Sequence, residues 1–367
     1  MASLFDPIAF GAIAAPNRIM MAPLTRGRGT RSHVPTPLMG EYYSQRASAG
    51  LIISEATGIT QQGLGWPGAP GLWSDEQVTA WKPIVRAVHD GGGRIVAQLW
   101  HMGRLVHPDY LGGAQPVSAS ATTAPGHAHT YEGNKPYAES RALEVHEIQK
   151  IIGDYKLAAE HAMTAGFDGV QLHAANGYLI DQFLRDGTNR RADSYGGGVE
   201  NRIRLLTEVT QALISAAGAD RTGVRLSPND DPQGCGDSES ESLFTKAAEA
   251  LNALQIAFLE MRASRPESTF RPATRQLVPA IRRAFKGTLI LNSDYSFDDA
   301  SQALRLGEAD AIAFGRPFLA NPDLTARFAK HAALNTPNPK TFYTPGPVGY
   351  TDYPALTQAA AVAMTAC

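Results

Sequence analysis

The chain has 367 residues, a formal net charge of −2 and only two cysteines, Cys235 and Cys367. That length suits one α/β barrel with insertions, which takes about 250 residues before they are added. The near-neutral charge argues against a nucleic-acid partner, two cysteines give neither a disulfide framework nor metal-thiolate spacing, and no apolar run approaches the roughly 20 residues that span a bilayer. The N-terminal Met1-Ala2-Ser3-Leu4-Phe5-Asp6 lacks the regions of a signal peptide, so the expectation is a cytoplasmic protein without a membrane partner.

In chain order, short apolar runs alternate with helical periodicity. Ile19 to Thr25 reads as a first strand, followed by a helix carrying Leu38, Met39, Tyr42, Tyr43 and Arg46. Leu51 to Ala56 reads as the second strand, and Val78, Trp81, Ile84, Val85 and Val88 form the apolar stripe of the next helix, stopped by Gly91-Gly92-Gly93. Ile95 to Trp100 is the third strand. From His101 to about His146 the period breaks into Gly, Pro, Ser, Thr and His, and so long an irregular segment reads as a lid or capping excursion. The cluster Arg26, Arg28 and Arg31 reads as a solvated or substrate-facing loop.

Regularity returns with Ile148, Ile151, Ile152, Tyr155, Ala159, Ala162 and Met163, a helix ending at Gly166. The fourth strand follows from Phe167 and runs into a polar turn that holds His173, Asn176 and Tyr178. Strands five to eight start near Thr222, Ala257, Thr288 and Ala311, each after an amphipathic helix. Eight near-continuous apolar strands alternating with helices predict an all-parallel sheet covered by helices, closed as a (β/α)8 barrel, the TIM-barrel fold. Residues 1–367 then form a single domain. The tail aromatics Phe342, Tyr343, Tyr350 and Tyr353 predict that the C-terminal segment packs back on the body.

In such a barrel, polar residues at the carboxyl ends of the strands converge on one face. Here they are Thr25, Gln98, Trp100, His173, Asn176, Arg225 and Gly315-Arg316. One His, Asn or Tyr near a strand end is more often structural than catalytic, so the whole set decides. It holds donors and cations but no carboxylate pair, Ser–His arrangement or metal pattern; His127-x-His129 lies in the excursion and is assigned no metal. A site without its own nucleophile implies that a cofactor carries the difficult step. Gly315-Arg316 suits a phosphate, and Arg225 suits a second anionic group such as the pyrimidine edge of a reduced flavin, with Gln98 and Thr25 bonding its carbonyl and imide positions.

Several segments together resemble the Old Yellow Enzyme family: Met21-Ala22-Pro23-Leu24-Thr25-Arg26, Ala97 to Arg104, the His-x-Ala-x-Gly-Tyr-Leu run from His173, and Ser194-Tyr195-Gly196-Gly197 with Glu200-Asn201-Arg202. Val224 to Pro228 and Ala313 to Phe318 with Asn321-Pro322-Asp323-Leu324 match as well. The likeness extends from Leu4 to about Tyr353, and the N-ethylmaleimide reductase-like branch is the nearest in pattern. It implies noncovalent FMN, NADPH or NADH as reductant, and reduction of electron-poor alkenes by a monomer or homodimer. Carried over by position, Ala22, Pro23, Leu24, Thr25, Ala56, Gln98, Arg225, Ser293, Asp294, Gly315 and Arg316 would hold the flavin. His173 and Asn176 would bind the substrate oxygen and Tyr178 would deliver the proton. Trp66, Trp100 and Tyr343 would wall the pocket.

Three positions depart from the common pattern: Trp66 stands where many relatives have tyrosine, Asn176 replaces a histidine variant, and the loop at Ser293 lacks a glycine. The iron–sulfur branch of the superfamily is excluded because the chain lacks its cysteine cluster. Two rival readings remain. A flavin-free isomerase or aldolase on the same barrel would need a catalytic Lys or Glu, and Glu55 and Glu260 are the only strand-end carboxylates. A non-catalytic flavin carrier would share the binding residues without turnover.

Overall fold

The computed structural model describes residues 2–229, 231–263 and 277–356, so Cys367 lies outside the described residues. Eight parallel strands carry the barrel: β1 (Ile19–Met21), β2 (Ile52–Ile53), β3 (Ile95–Trp100), β4 (Gly169–His173), β5 (Thr222–Leu226), β6 (Phe258–Arg262), β7 (Leu289–Asn292) and β8 (Ala311–Phe314). β1 pairs with both β2 and β8, and β3 joins β2 to β4, so the sheet closes on itself and leaves no edge to protect. The fold is the (β/α)8 barrel expected from the alternation of apolar runs and helices.

The surrounding helices are α1 (Pro37–Ser44), α2 (Asp75–Asp90), α3 (Val145–Ala165), α4 (Arg204–Ala217), α5 (Ser240–Ala253), α6 (Val278–Ala284), α7 (Phe297–Arg305) and α8 (Leu324–Ala329). α2 starts where Ser74 and Gln77 form a reciprocal capping box, with Asp75 and Glu76 in the first turn against the helix dipole. Its buried face is the Val78, Trp81, Ile84, Val85 and Val88 stripe. α3 ends at Gly166, whose φ of 95° is left-handed and costs a residue with a Cβ about 1 kcal/mol or more.

A hairpin of Ile8–Phe10 and Ile13–Ala15 plugs the amino end of the barrel. Phe10 meets Phe258 edge to face at 5.8 Å, and Ala12 N–H donates to the Asp220 carbonyl at 2.9 Å. Burying a side chain such as Phe10 contributes about 1.5–3 kcal/mol. The opposite end, where the strands finish, is thereby left for the site.

The segment after β3 contains two short 3-10 turns, Gly103–Leu105 and Pro108–Tyr110, and an antiparallel hairpin of His127–Thr130 with Gly133–Pro136. A two-residue strand, Val117–Ser118, pairs in parallel with Arg141–Ala142 just before α3 begins at Val145.

The arginine cluster after β1 is not a solvated loop. Arg26 and Arg28 are buried and hold the C-terminal segment: Arg26 donates to the carbonyls of Phe342 at 3.1 Å and Gly349 at 2.6 Å, and Arg28 to those of Phe342 at 2.6 Å and Thr341 at 3.0 Å. Tyr350 stacks on Tyr42 with centroids 4.1 Å apart, which completes the packing of the tail. Arg31 alone is exposed, 4.5 Å from the Tyr131 ring. Among the described residues no helix is long and apolar enough to cross a membrane.

Candidate active site

The turn after β4 is fixed by partners on three sides. Asn176 takes φ 61°, which asparagine tolerates better than most residues, and its N–H donates to Ser227 Oγ at 2.7 Å. Gly177 follows at φ 81°, where an added Cβ would fall 2.5 Å from the Pro232 carbonyl oxygen. Its N–H donates to Asp181 Oδ2 at 2.8 Å, and Asp181 is in turn ion-paired with buried Arg185 at 2.7 Å. Tyr178 is then the N-cap of the short helix Leu179–Leu184.

This turn gathers the expected aromatic and imidazole groups. The Tyr178 ring meets His173 edge to face at 4.9 Å and Trp100 at 4.8 Å, and Trp100 lies parallel to His173 at 6.3 Å. Burial, and then the Arg225 and Arg262 charges, hold the His173 pKa well below that of free imidazole, so the ring is neutral at pH 7. Burial pushes the Tyr178 phenol above its usual range, so it keeps its proton. His173 Nδ1 and Trp100 Nε1 are buried and find no hydrogen-bond partner among the described residues.

Beneath the turn, a chain of polar side chains crosses the barrel. Strand register sets Gln98 beside Gln171, His173 beside Arg225, Arg225 beside Glu260 and Arg262 beside Asn292. Gln98 Nε2 donates to Gln171 Oε1 at 2.7 Å, and Gln171 Nε2 donates to Glu260 Oε2 at 2.8 Å. Arg225 Nε stands 3.2 Å from Glu260 Oε1, close enough to pair but without hydrogen-bond alignment, while its Nη2 donates to Asn292 Oδ1 at 2.8 Å. Burial raises the Glu260 pKa; Arg225 and the Gln171 amide oppose it.

Neither strand-end carboxylate is therefore offered to a substrate. Glu260 is tied to Arg225 and Gln171, and Glu55 Oε2 accepts the N–H groups of Arg26 at 3.1 Å and Gly27 at 3.0 Å, which shapes the loop after β1. Neither of these two described carboxylates is thus left free to serve as the acid or base an isomerase or aldolase would require.

A cavity of about 630 Å³ opens at this end of the barrel. Of the expected residues its wall includes Ala22, Pro23 and Leu24 from the loop after β1, Asn176 and Arg225, Ser293 and Asp294 after β7, Gly315 and Arg316 after β8, and Tyr343 from the tail. Asp294, at φ 44°, lies 3.7 Å from the Arg316 guanidinium. Thr25 is half-buried directly after Leu24, and Ala56 is buried in a cluster with Leu64, Trp100 and Met102. Trp66 meets Tyr343 at 5.2 Å and His129 of the excursion hairpin at 4.6 Å, so an aromatic rim includes a residue that sequence reasoning placed only in the irregular segment.

Sequence reasoning also missed Arg262, Asn292 and Tyr295, all in the cavity wall. The sixth strand reads as ending at Met261, one residue short of Arg262, and alternation past that point was the available signal. Apolar Ala22-Pro23-Leu24 on one side, the Arg225 cation in the wall, and Arg316 beside the loops after β7 and β8 match a flat ring carrying an anionic tail. The donor set fits FMN.

The sequence profile of the NADH:flavin oxidoreductase / NADH oxidase family matches residues 3–335. The chain belongs to that family. It is 44% identical over 357 residues to the putative 12-oxophytodienoate reductase 5 of Oryza sativa subsp. japonica, covering 95% of this chain and 94% of that protein. To 12-oxophytodienoate reductase 2 of Arabidopsis thaliana it is 42% identical, over 97% of this chain and 96% of the relative. Among solved structures, an old yellow enzyme homologue from Zymomonas mobilis superposes with a TM-score of 0.95 at 60% identity, covering 96% of this chain and 100% of that one. Morphinone reductase in complex with tetrahydroNAD gives 0.92 at 45% identity, over 97% and 98%. The Old Yellow Enzyme resemblance thus holds over nearly the full length of the chain. This family member is an FMN-dependent ene-reductase that takes its electrons from a nicotinamide nucleotide and acts on small-molecule alkenes.

Proposed function

We propose that His173, Asn176 and Tyr178 are the groups with which this chain reduces the activated C=C bond of α,β-unsaturated carbonyls, imides and nitroalkenes. The observation that carries this reading is the fixed turn after β4, which sets a neutral imidazole, a carboxamide and a protonated phenol together at the carboxyl end of the barrel.

Bound FMN supplies the hydride, received from NADPH or NADH. His173 and Asn176 donate hydrogen bonds to the substrate's carbonyl or nitro oxygen, where negative charge develops in the transition state; preorganised donors of this kind stabilise charge without reorganisation at the moment of reaction. Tyr178 Oη holds the proton that the α-carbon takes. Trp66, Trp100 and Tyr343 exclude water and shape the space for the substrate. Ala22, Pro23, Leu24, Thr25, Ala56 and Gln98 hold the ring, and Arg225 compensates its charge when it is reduced. Ser293, Asp294, Gly315 and Arg316 hold the phosphate; the usable group of Asp294 there is its main-chain N–H, since its carboxylate would repel an anion and already faces Arg316.

The chain works as one FMN-binding domain, monomeric or homodimeric, in the cytoplasm where reduced nicotinamide nucleotides are regenerated, and the excursion of about residues 101–146 acts as a lid. The meeting of Trp66 with His129 supports the lid reading, because it brings the excursion hairpin to the pocket rim. Mass spectrometry of the cofactor released on denaturation should find FMN. Anaerobic reduction by each nucleotide, followed by titration with activated alkenes, should reoxidise it; a flavin that no electron-poor alkene reoxidises would identify a carrier instead.

A further inference from the structure

We infer that Arg262, at the end of β6, is the positioning residue that decides which end of the Asn176 carboxamide faces the substrate. The inference rests on the reading that Asn176 binds the substrate oxygen. A carboxamide has two ends of nearly equal shape and opposite polarity, and only the Nδ2 end can donate to an oxygen that is gaining negative charge. Turned over, Asn176 would set a lone pair against a lone pair and oppose the reaction it should assist.

The backbone of Asn176 does not make this choice. Its N–H bond to Ser227 Oγ and its φ of 61° anchor the Cα, but rotation about the last side-chain torsion exchanges oxygen for nitrogen without moving either. Arg262 does make it. Its Nη1 lies 2.8 Å from Asn176 Oδ1. A guanidinium carries donors only, so it accepts one orientation of its neighbour: Oδ1 toward Arg262, Nδ2 away from it. The assignment of the amide therefore follows from the chemistry of the partner.

Location supports the same role. Arg262 is paired in register with Asn292, the residue that Arg225 bonds, and it lines the cavity together with Asn176 and Arg225. Its charge is felt at His173 as well as at Asn176. One cation thus stands beside both groups proposed to bind the substrate oxygen. A charge-assisted hydrogen bond of this kind is worth about 1.5–3 kcal/mol, which would favour the productive amide orientation by about 10- to 150-fold.

The test is a double-mutant cycle on the flavin-loaded enzyme with phenol as probe, its oxygen standing in for the anionic product of hydride addition. Dissociation constants come from titrations followed in the flavin absorbance, which also reports flavin content. Arg262→Gln should weaken phenol binding by about tenfold or more in the native background, and by no more than about twofold when Asn176 is already alanine. Arg262→Lys, which still offers Oδ1 a charged donor, should recover most of the loss. Equal weakening in both backgrounds, no weakening at all, or loss of flavin from Arg262→Gln would each overturn the inference. An Asn176→Ala variant that binds phenol normally would instead overturn the reading of Asn176 on which it rests.

Discussion

Arg26 Nη2 donates to the Gly349 carbonyl at 2.6 Å, tying the loop after the first strand to a segment 323 residues further along the chain. The same guanidinium reaches Phe342 O and Tyr42 Oη, and lies 5.0 Å from the centre of the Tyr350 ring. Arg26→Met keeps most of the volume but takes the guanidinium donor from Gly349 O and Tyr42 Oη, and leaves Phe342 O with its bond from Arg28. The expected cost is about 2–4 kcal/mol of unfolding free energy, measured by urea denaturation. The tail should also be cleaved sooner by protease between Phe342 and Tyr350, with the barrel helices spared. Unchanged proteolysis of that segment would mean that the Arg28 bonds and Tyr350 stacking hold it without Arg26.

A neutral His173 has a definite pH signature. Its pKa lies well below that of free imidazole because of burial, with Arg225 and Arg262 adding to the effect. The ring therefore takes up no proton as pH falls through about 6.5. Phenolate-type ligands, whose binding a charged imidazolium would strengthen, should show no gain from His173 ionisation between about pH 8 and pH 5 once the ligand's own ionisation is accounted for. A rise in affinity centred near 6.5 that disappears in His173→Asn would contradict this placement.

His101 gives the corresponding stability prediction. It is buried, and that burial pushes its pKa down to about 3. Between that value and about 6.5 the unfolded chain binds the proton and the folded chain does not, so this residue lowers stability as pH falls through the window. His101→Asn, which can still accept the Gly103 N–H now received by Nδ1, removes that dependence. Unfolding free energies from denaturant titrations at pH 7 and pH 5 should converge in the variant relative to wild type, by up to about 1.4 kcal/mol per pH unit. Equal pH slopes in the two proteins would show that His101 is protonated in the fold.

The ordered pattern of the sequence made the barrel legible, because its strands are buried on both faces and read as unbroken apolar runs; β3 spans Ile95–Trp100 as read. The hairpin under the barrel was not legible, since strands of three residues are too short to show a period. Arg26 and Arg28 were misread for a different reason: their partners are carbonyls more than 300 residues away, and no local pattern marks a buried guanidinium. The turn carrying His173, Asn176 and Tyr178 stood out as polar chemistry directly after an apolar strand. Arg262 did not stand out, and Glu260 stood out only as a strand-end carboxylate and not as the partner of Arg225, because both roles depend on cross-strand register that the closed barrel establishes.

Arg225 should act on the flavin, and its environment complicates the simple test. Removing the cation alone leaves the buried Glu260 carboxylate without its countercharge, which typically costs about 3–5 kcal/mol. Arg225→Ala should therefore be markedly unstable, whereas Arg225→Ala with Glu260→Gln should recover much of the lost stability. In that double variant the flavin should be bound less completely, or its reduction potential should move negative, because the cation compensating the reduced ring has gone. An unchanged potential at full occupancy would place Arg225 away from the ring.

Tyr178 is expected to matter in one half of the cycle only. Its phenol is edge-on to both His173 and Trp100, and burial keeps it protonated across the physiological range. Taking up hydride from a nicotinamide nucleotide requires no acid from the protein, whereas completing the reduction of an enone requires a proton at the α-carbon. Tyr178→Phe removes the proton with almost no change of volume, so the packing against Trp100 and His173 should persist. General acid catalysis contributes about 10²–10⁴-fold, and enone reduction should slow by about that factor. Nicotinamide oxidation should stay within about tenfold, equivalent to about 1.4 kcal/mol of barrier. Nitroalkenes should be affected least, since the nitronate left by hydride addition persists without immediate protonation. Stopped-flow measurement of the two half-reactions separates this from a Tyr178 that only fills the pocket wall, for which both rates would change together or not at all.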